Sequence, residues 1–210
     1  MFHIFVSSVL LSVIHALIPN HWMPLIFISR SEKWETRETV FISMVTAVAH
    51  TLSTIVIGVG VGVLGYKLAD KYEYITTIVA PLVLIGIGLF YFIKDVIHHH
   101  AHDHFSSVMK QAGNKKAIIT SMLVAMFFSP CLEIEGYYFT AGLQGWAGIV
   151  TVSMVYLFIT VAGIMLLTYA GIKSMAKFDF VFLEKHEKKI TGLVLIVIGV
   201  FNFLMQGHHA

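Results

Sequence analysis

The sequence predicts an all-α integral membrane protein of six transmembrane helices. They form two inverted three-helix repeats, with a proline-broken first helix in each. Three observations carry that expectation. The 210 residues are 57% hydrophobic and 12% charged, where a soluble globular chain carries about 25% charged residues. The mean hydropathy is +0.82. Apolar stretches of the ~20 residues needed to span a bilayer recur along the whole chain, and parts of one half reappear in the other.

The expected spans run from Phe2 to Ile18, Glu38 to Tyr66, Tyr74 to Ile97, Ala117 to Ala141, Trp146 to Ser174 and Lys188 to Gln206. The first lacks a basic leader and a small-residue cleavage site, so it is expected to be a retained helix rather than a signal peptide. It ends in His15-Ala16-Leu17-Ile18-Pro19-Asn20-His21-Trp22-Met23-Pro24. Proline removes a backbone donor and clashes with the preceding turn, so helix breaks are expected at Pro19 and Pro24. A short half-helix, Met23 to Ser29, should follow. In lipid, freed backbone groups are tolerated only where protein or a watery cavity satisfies them. Ionisable groups at a broken helix are how many transporters build a mid-membrane ion site. The fourth span carries the corresponding break, Ser129-Pro130-Cys131.

Twelve of the fourteen Lys and Arg residues fall in or beside the first, third and fifth loops; Lys67 and Lys71 are the exceptions. By the positive-inside rule those three loops are cytoplasmic and both termini lie outside. The repeat is visible in Leu82 to Ile93 read against Leu193 to Leu204, identical at eight of twelve positions with an offset of 111. The same offset sets Pro19 on Pro130, Asn20 on Cys131 and His15 on Met126. Gly65, Lys67, Lys71 and the Tyr-Glu-Tyr that follows read against Gly171, Lys173, Lys177 and Phe-Asp-Phe at offset 106. Three spans per repeat is odd, so the second copy is inverted. The divisions expected are residues 1–97, a His-rich cytoplasmic loop at 98–116, and residues 117–210.

Chemistry concentrates in few places. Glu133 and Glu135 are the acids well inside a span, where a bare carboxylate costs at least several kcal/mol. On an intact helix Cys131 and Glu135 share a face while Glu133 points away. So either the backbone unwinds there or one acid alone reaches a central site. The bland alternative puts both acids at a surface helix end. His50 and Thr54 share a face of the second span beside Thr51; alternatively the histidine simply bonds a carbonyl and the hydroxyls bond back to their own helix. His15, His21, His50, Cys131, Glu133 and Glu135 form a borderline-soft N/S/O set. It suits Ni, Co, Zn or Cu better than Mg or Ca. Asn20, Thr51, Thr54 and Met126 are auxiliary candidates. His98, His99, His100, His102, Asp103 and His104 have a metal-binding composition and are expected to gather metal without forming the transport site. The glycines Gly58, Gly60, Gly62 and Gly65 read as a close-packing face. A single cysteine gives no internal disulfide. No Walker-type loop is present, so ATP hydrolysis is not expected.

These residues resemble the nickel/cobalt transporter family, NicO-type efflux branch, of the LysE-type transporter superfamily. The motifs are His15, Pro19 and His21 as H-x3-P-x-H, then Ala49-His50-Thr51, then Pro130-Cys131. The chain departs from the family in Ile18, where efflux members often carry an acid, and in Leu132, where they often carry proline. The H-x4-D-H of the uptake branch is absent. The resemblance implies a non-enzymatic carrier of a divalent transition metal (Ni, Co or Zn) as substrate, in a prokaryotic cytoplasmic (inner) membrane. Its partners would be the lipid bilayer, metal ions and protons as coupling ion, with no nucleic acid and no organic cofactor; a homo-oligomer stays open. Export by proton antiport is the direction preferred, with Glu133 or Glu135 holding a proton while the metal is absent. The alternatives are a membrane thiol–disulfide electron conduit, a metalloenzyme-maturation membrane factor, and an exporter of an organic or sulfur-containing anion. The conduit needs a second cysteine, where this chain has Asn20.

Overall fold

The computed structural model describes residues 1–69, 78–97, 115–129, 131–174, 189–190, 192–200 and 203. Every regular element among them is helical. In chain order they are α1 Phe2–Leu17, a 3-10 turn Pro19–His21, α2 Met23–Ser31, α3 Thr36–Ala69 and α4 Ala80–Ile97. Then come α5 Lys115–Phe127, α6 Leu132–Gly142, α7 Trp146–Ser174 and, largely over 189–200, α8. The order of short helix, break, short helix, long helix, helix thus occurs twice. The His-rich stretch 98–104, Pro130, and much of the sixth expected span lie outside the described residues.

Among the described residues two helices are long and apolar enough to cross a membrane, Thr36–Ala69 and Trp146–Lys173; α1 and the Pro19–Ser31 segment make a third if the pair, bent by 61°, is one span. The side chains agree with an apolar surrounding. Phe2, Val56, Phe128, Phe158 and Leu166 point outward, while Ser12, Thr39, Ser43, Thr46, Thr51, Thr54 and Thr160 are buried. That distribution reverses what water selects and fits a membrane protein.

The first break falls where expected, with one correction. Ile18 is extended, and Pro19 opens the 3-10 turn. Pro24, expected to break the helix, sits instead in the first turn of α2. A proline there loses only an amide that a helix start leaves unpaired anyway. Trp22, fully buried, fills the elbow with Met23, Ile26, Ala47 and Ile164. The fourth span is likewise broken where expected: α5 ends at Phe127 and α6 begins at Leu132.

Packing fixes the helix directions. Lys115 pairs with Glu38, and Met126 meets His50, so α5 runs with α3. Gly62 abuts Ile149, and Val40 shares a cleft with Tyr169, so α7 runs against α3. Tyr156 meets His15, Gly163 abuts Ala16, and Gly171 reaches Trp22 and Ile26, so α7 runs with α1 and α2. The expectation of a close-packed glycine face on α3 holds at Gly58, Gly62 and Gly65, which receive α6, whereas Gly60 faces open space. A Cβ at Gly142 would overlap the Gly62 carbonyl. Gly142→Ala is therefore expected to cost about 1–3 kcal/mol, the usual range for overpacking. A lowered thermal midpoint in detergent reads this out; an unchanged midpoint would mean that the α3–α6 contact is looser than described.

Candidate metal centre

The two breaks and the middle of α3 deliver the chemistry to one place. His15 is on the last turn of α1, and His21 ends the 3-10 turn. His50 is mid-α3, and Cys131 precedes the first residue of α6. One ligand atom from each of these four lies within 4.8 Å of all the others. His15 Nε2 is 3.4 Å from His50 Nε2, and Cys131 Sγ is 3.4 Å from His50 Nε2 and 3.7 Å from His15 Nε2. The His21 ring centroid lies 4.5 Å from that of His15 and 4.8 Å from that of His50. The three imidazoles are buried and the thiol partly so.

The second nitrogen of two rings is already committed. His50 Nδ1–H donates to the Met126 carbonyl at 3.0 Å. A carbonyl can only accept, so the proton of a neutral His50 is on Nδ1 and its Nε2 presents a lone pair. That carbonyl is available because α5 stops at Phe127, which leaves its last carbonyls without intrahelical partners. On His15, Nδ1–H donates to Glu133 Oε1 at 3.3 Å. A carboxylate–histidine pair of this kind sets ring orientation and raises ligand basicity at metal sites. Two Nε2 atoms facing each other at 3.4 Å need a shared hydrogen or a cation between them, since two bare lone pairs repel, and a metal ion would meet both. His21 Nδ1 is buried with no hydrogen-bond partner. Such an orphan is costly, and ligation would satisfy it. The donor set therefore fits a borderline transition-metal cation.

The expected residues divide on inspection. Cys131 is not on a helix: its backbone is extended, with φ −102° and ψ 103°. The backbone does leave the helix, and one acid reaches the cluster, but it is Glu133 rather than the Glu135 an intact helix would favour. Neither glutamate belongs to the four-ligand group, so Glu133 is a partner of His15 rather than a ligand. Both acids are buried in the first turn of α6, which removes the surface alternative. Both carboxylate oxygens of Glu135 are buried without a hydrogen-bond partner. Of the auxiliary candidates, Met126 acts through its carbonyl rather than its thioether. Asn20 is exposed on the 3-10 turn. Thr51 donates to the Ala47 carbonyl and Thr54 to the His50 carbonyl, so both hydroxyls serve their own helix.

Tyr156 was not among the expected residues. Its hydroxyl lies 3.2 Å from His15 Nε2, at the atom a metal would take. The sequence offered only a tyrosine midway along an apolar span; its full burial, where a hydroxyl needs a partner, came with the fold. Because ligation breaks this contact, Tyr156→Phe is expected to tighten metal binding by about threefold to tenfold, the worth of one net hydrogen bond. Metal titration of the detergent-solubilised variant measures it; weaker binding would instead make the hydroxyl a ligand.

Fold and site together define a class: a helical protein whose apolar helices fit a membrane and whose His/Cys cluster could hold a metal ion. No protein-family model matches the chain, and no curated protein or solved structure shows significant similarity to it.

Proposed function

We propose that this protein is a secondary transporter of divalent transition-metal cations, Ni, Co or Zn, of the NicO-type efflux kind. It would work in the cytoplasmic membrane of a prokaryote by proton antiport. The observation that carries the reading is the pair of opposed Nε2 atoms with a thiol beside them, each ring fixed from behind by Glu133 or Met126. A proton between the rings with Glu133 ionised is neutral overall. A dication with Glu133 and a Cys131 thiolate is neutral too. Exchange then moves about two protons against each metal, one from the imidazole pair and one from the thiol, since metal ligands must be deprotonated. Neutrality in both states keeps the desolvation cost of a buried charge low.

The six-span inverted-repeat architecture is supported by exchanged packing. The broken helix of the first half, α1, lies along α7 of the second, and the broken α5 lies along α3 of the first. Because α7 runs against α3, α1 runs against α5, as an inverted repeat requires. The site then sits between the halves, where transporters of this design bind substrate. Both termini outside follows from the basic loops; exclusive outside labelling of a cysteine introduced at residue 103, in a Cys131→Ser background, would overturn it.

The decisive experiment is transport into proteoliposomes containing a metal-sensitive dye, with pH imposed separately on each side. Metal flux driven by an opposed proton gradient is expected. Metal binding without flux under any gradient would favour a maturation or storage factor. Replacing His98, His99, His100, His102 and His104 by Ala should weaken apparent affinity while transport continues; complete loss in folded protein would place the transport site in that loop.

A further inference from the structure

We propose that the centre is a four-coordinate site of three imidazoles and one thiolate, selective for ions that accept a tetrahedron, Zn(II) and Co(II), over Ni(II). This rests on the reading of the cluster as the substrate site and narrows its substrate.

The argument is metric. With bonds of about 2.0–2.1 Å to nitrogen and 2.3 Å to sulfur, a tetrahedron has edges of about 3.3–3.4 Å between nitrogens and about 3.5–3.6 Å from nitrogen to sulfur. The triangle of His15 Nε2, His50 Nε2 and Cys131 Sγ has edges of 3.4, 3.4 and 3.7 Å. That is nearly equilateral and of tetrahedral size. Three corners of a square plane would give two short edges of about 3 Å or less and one of about 4 Å; an octahedral face would be near 3 Å throughout. Square-planar or tetragonal arrangements are the ones Ni(II) prefers, whereas mixed sulfur and nitrogen tetrahedra suit Zn(II).

The remaining vertex falls to His21, the fourth member of the cluster, which has an unpartnered Nδ1. The four ligand atoms lie within 4.8 Å of one another, so where His21 stands wider than a tetrahedral edge a small inward shift of its ring closes the shell. The other three are braced by α3, by the α6 start and by Glu133. Reshaping the site to a plane would therefore break the His50–Met126 or His15–Glu133 contact. Among simple ligands Ni(II) binds more tightly than Co(II). An inverted order would be the signature of imposed geometry.

Purified full-length protein in detergent is titrated with Co(II), then competed with Zn(II) or Ni(II). The expected result is the intense visible absorption of tetrahedral Co(II) with a near-ultraviolet thiolate-to-cobalt band. Cys131→Ser should lose the ultraviolet band while keeping the visible ones. Ni(II) should need at least about a tenfold excess over Co(II) to displace half of it, the reverse of the ordinary preference of Ni(II) over Co(II), whereas Zn(II) should displace it without such an excess. Weak six-coordinate bands, or Ni(II) binding more tightly than Co(II), would overturn the inference. A tetrahedral spectrum with no flux in proteoliposomes leaves the inference standing and removes the transporter reading. Flux with an octahedral spectrum does the reverse. No Co(II) binding at the cluster removes both.

Discussion

His50→Ala is expected to abolish transport and to weaken metal binding by more than about a hundredfold, above the range measured for loss of a mere supporting residue at metal sites. Two effects combine. The ring supplies an edge of the ligand triangle to both His15 Nε2 and Cys131 Sγ. Its loss also strands the Met126 carbonyl, which the break in α5 leaves dependent on His50 Nδ1–H and on a longer contact from the Ser129 amide at 3.4 Å. The fold should survive, because the rest of α3 is held by Gly58, Gly62 and Gly65 against α6 and by Ala47 against Trp22. A melting curve alongside the metal titration separates the two consequences. Near wild-type affinity with full flux would move the site elsewhere. His15→Ala should behave similarly. It also removes the contact that holds Glu133 at the centre.

The ligand set was legible in the sequence because imidazoles, a thiol and prolines are rare and costly inside apolar stretches. His15, His21, His50 and Cys131 stood out for that reason, and they converge. Their supporting groups were not legible. Met126 serves through a backbone carbonyl, a group every residue carries, and its availability depends on where α5 stops. Tyr156 carries a residue type that apolar helices often place at their ends, so its depth became meaningful only once α7 lay along α1. Which of Glu133 and Glu135 faces the centre stayed open in the sequence for a definite reason. Helical periodicity through Cys131 assumes a continuous helix, and an extended residue at 131 resets the phase of everything after it. Pro24 failed likewise: a proline marks a break or a beginning, and only the neighbouring dihedrals decide which.

The two buried acids should part company on neutralisation. Glu133→Gln is expected to weaken metal binding by about tenfold to a hundredfold, the usual effect of removing a carboxylate behind a ligating imidazole. Glutamine can still accept from His15 Nδ1–H, so ring orientation largely survives. What disappears is the negative charge that, with the thiolate, balances a dication. The loaded centre would then carry an uncompensated positive charge, which costs several kcal/mol in a buried site unless it finds another partner. Lowering the pH should weaken binding in both proteins, since protons compete for imidazole and thiolate. The variant, lacking the anion that favours a proton between the rings, should release fewer protons per metal bound, which a pH-indicator titration counts. Glu135→Gln should leave affinity within about threefold, because the carboxylate makes no hydrogen bond within the cluster and a buried amide without partners costs stability rather than ligation. Its effect should fall instead on the pH dependence of flux, as expected of a buried carboxyl that has to take a proton or meet a cation during the cycle. Equal effects of the two substitutions on affinity would mean that Glu133 has no special standing behind His15. A large loss of affinity in Glu135→Gln alone would exchange the roles of the two acids.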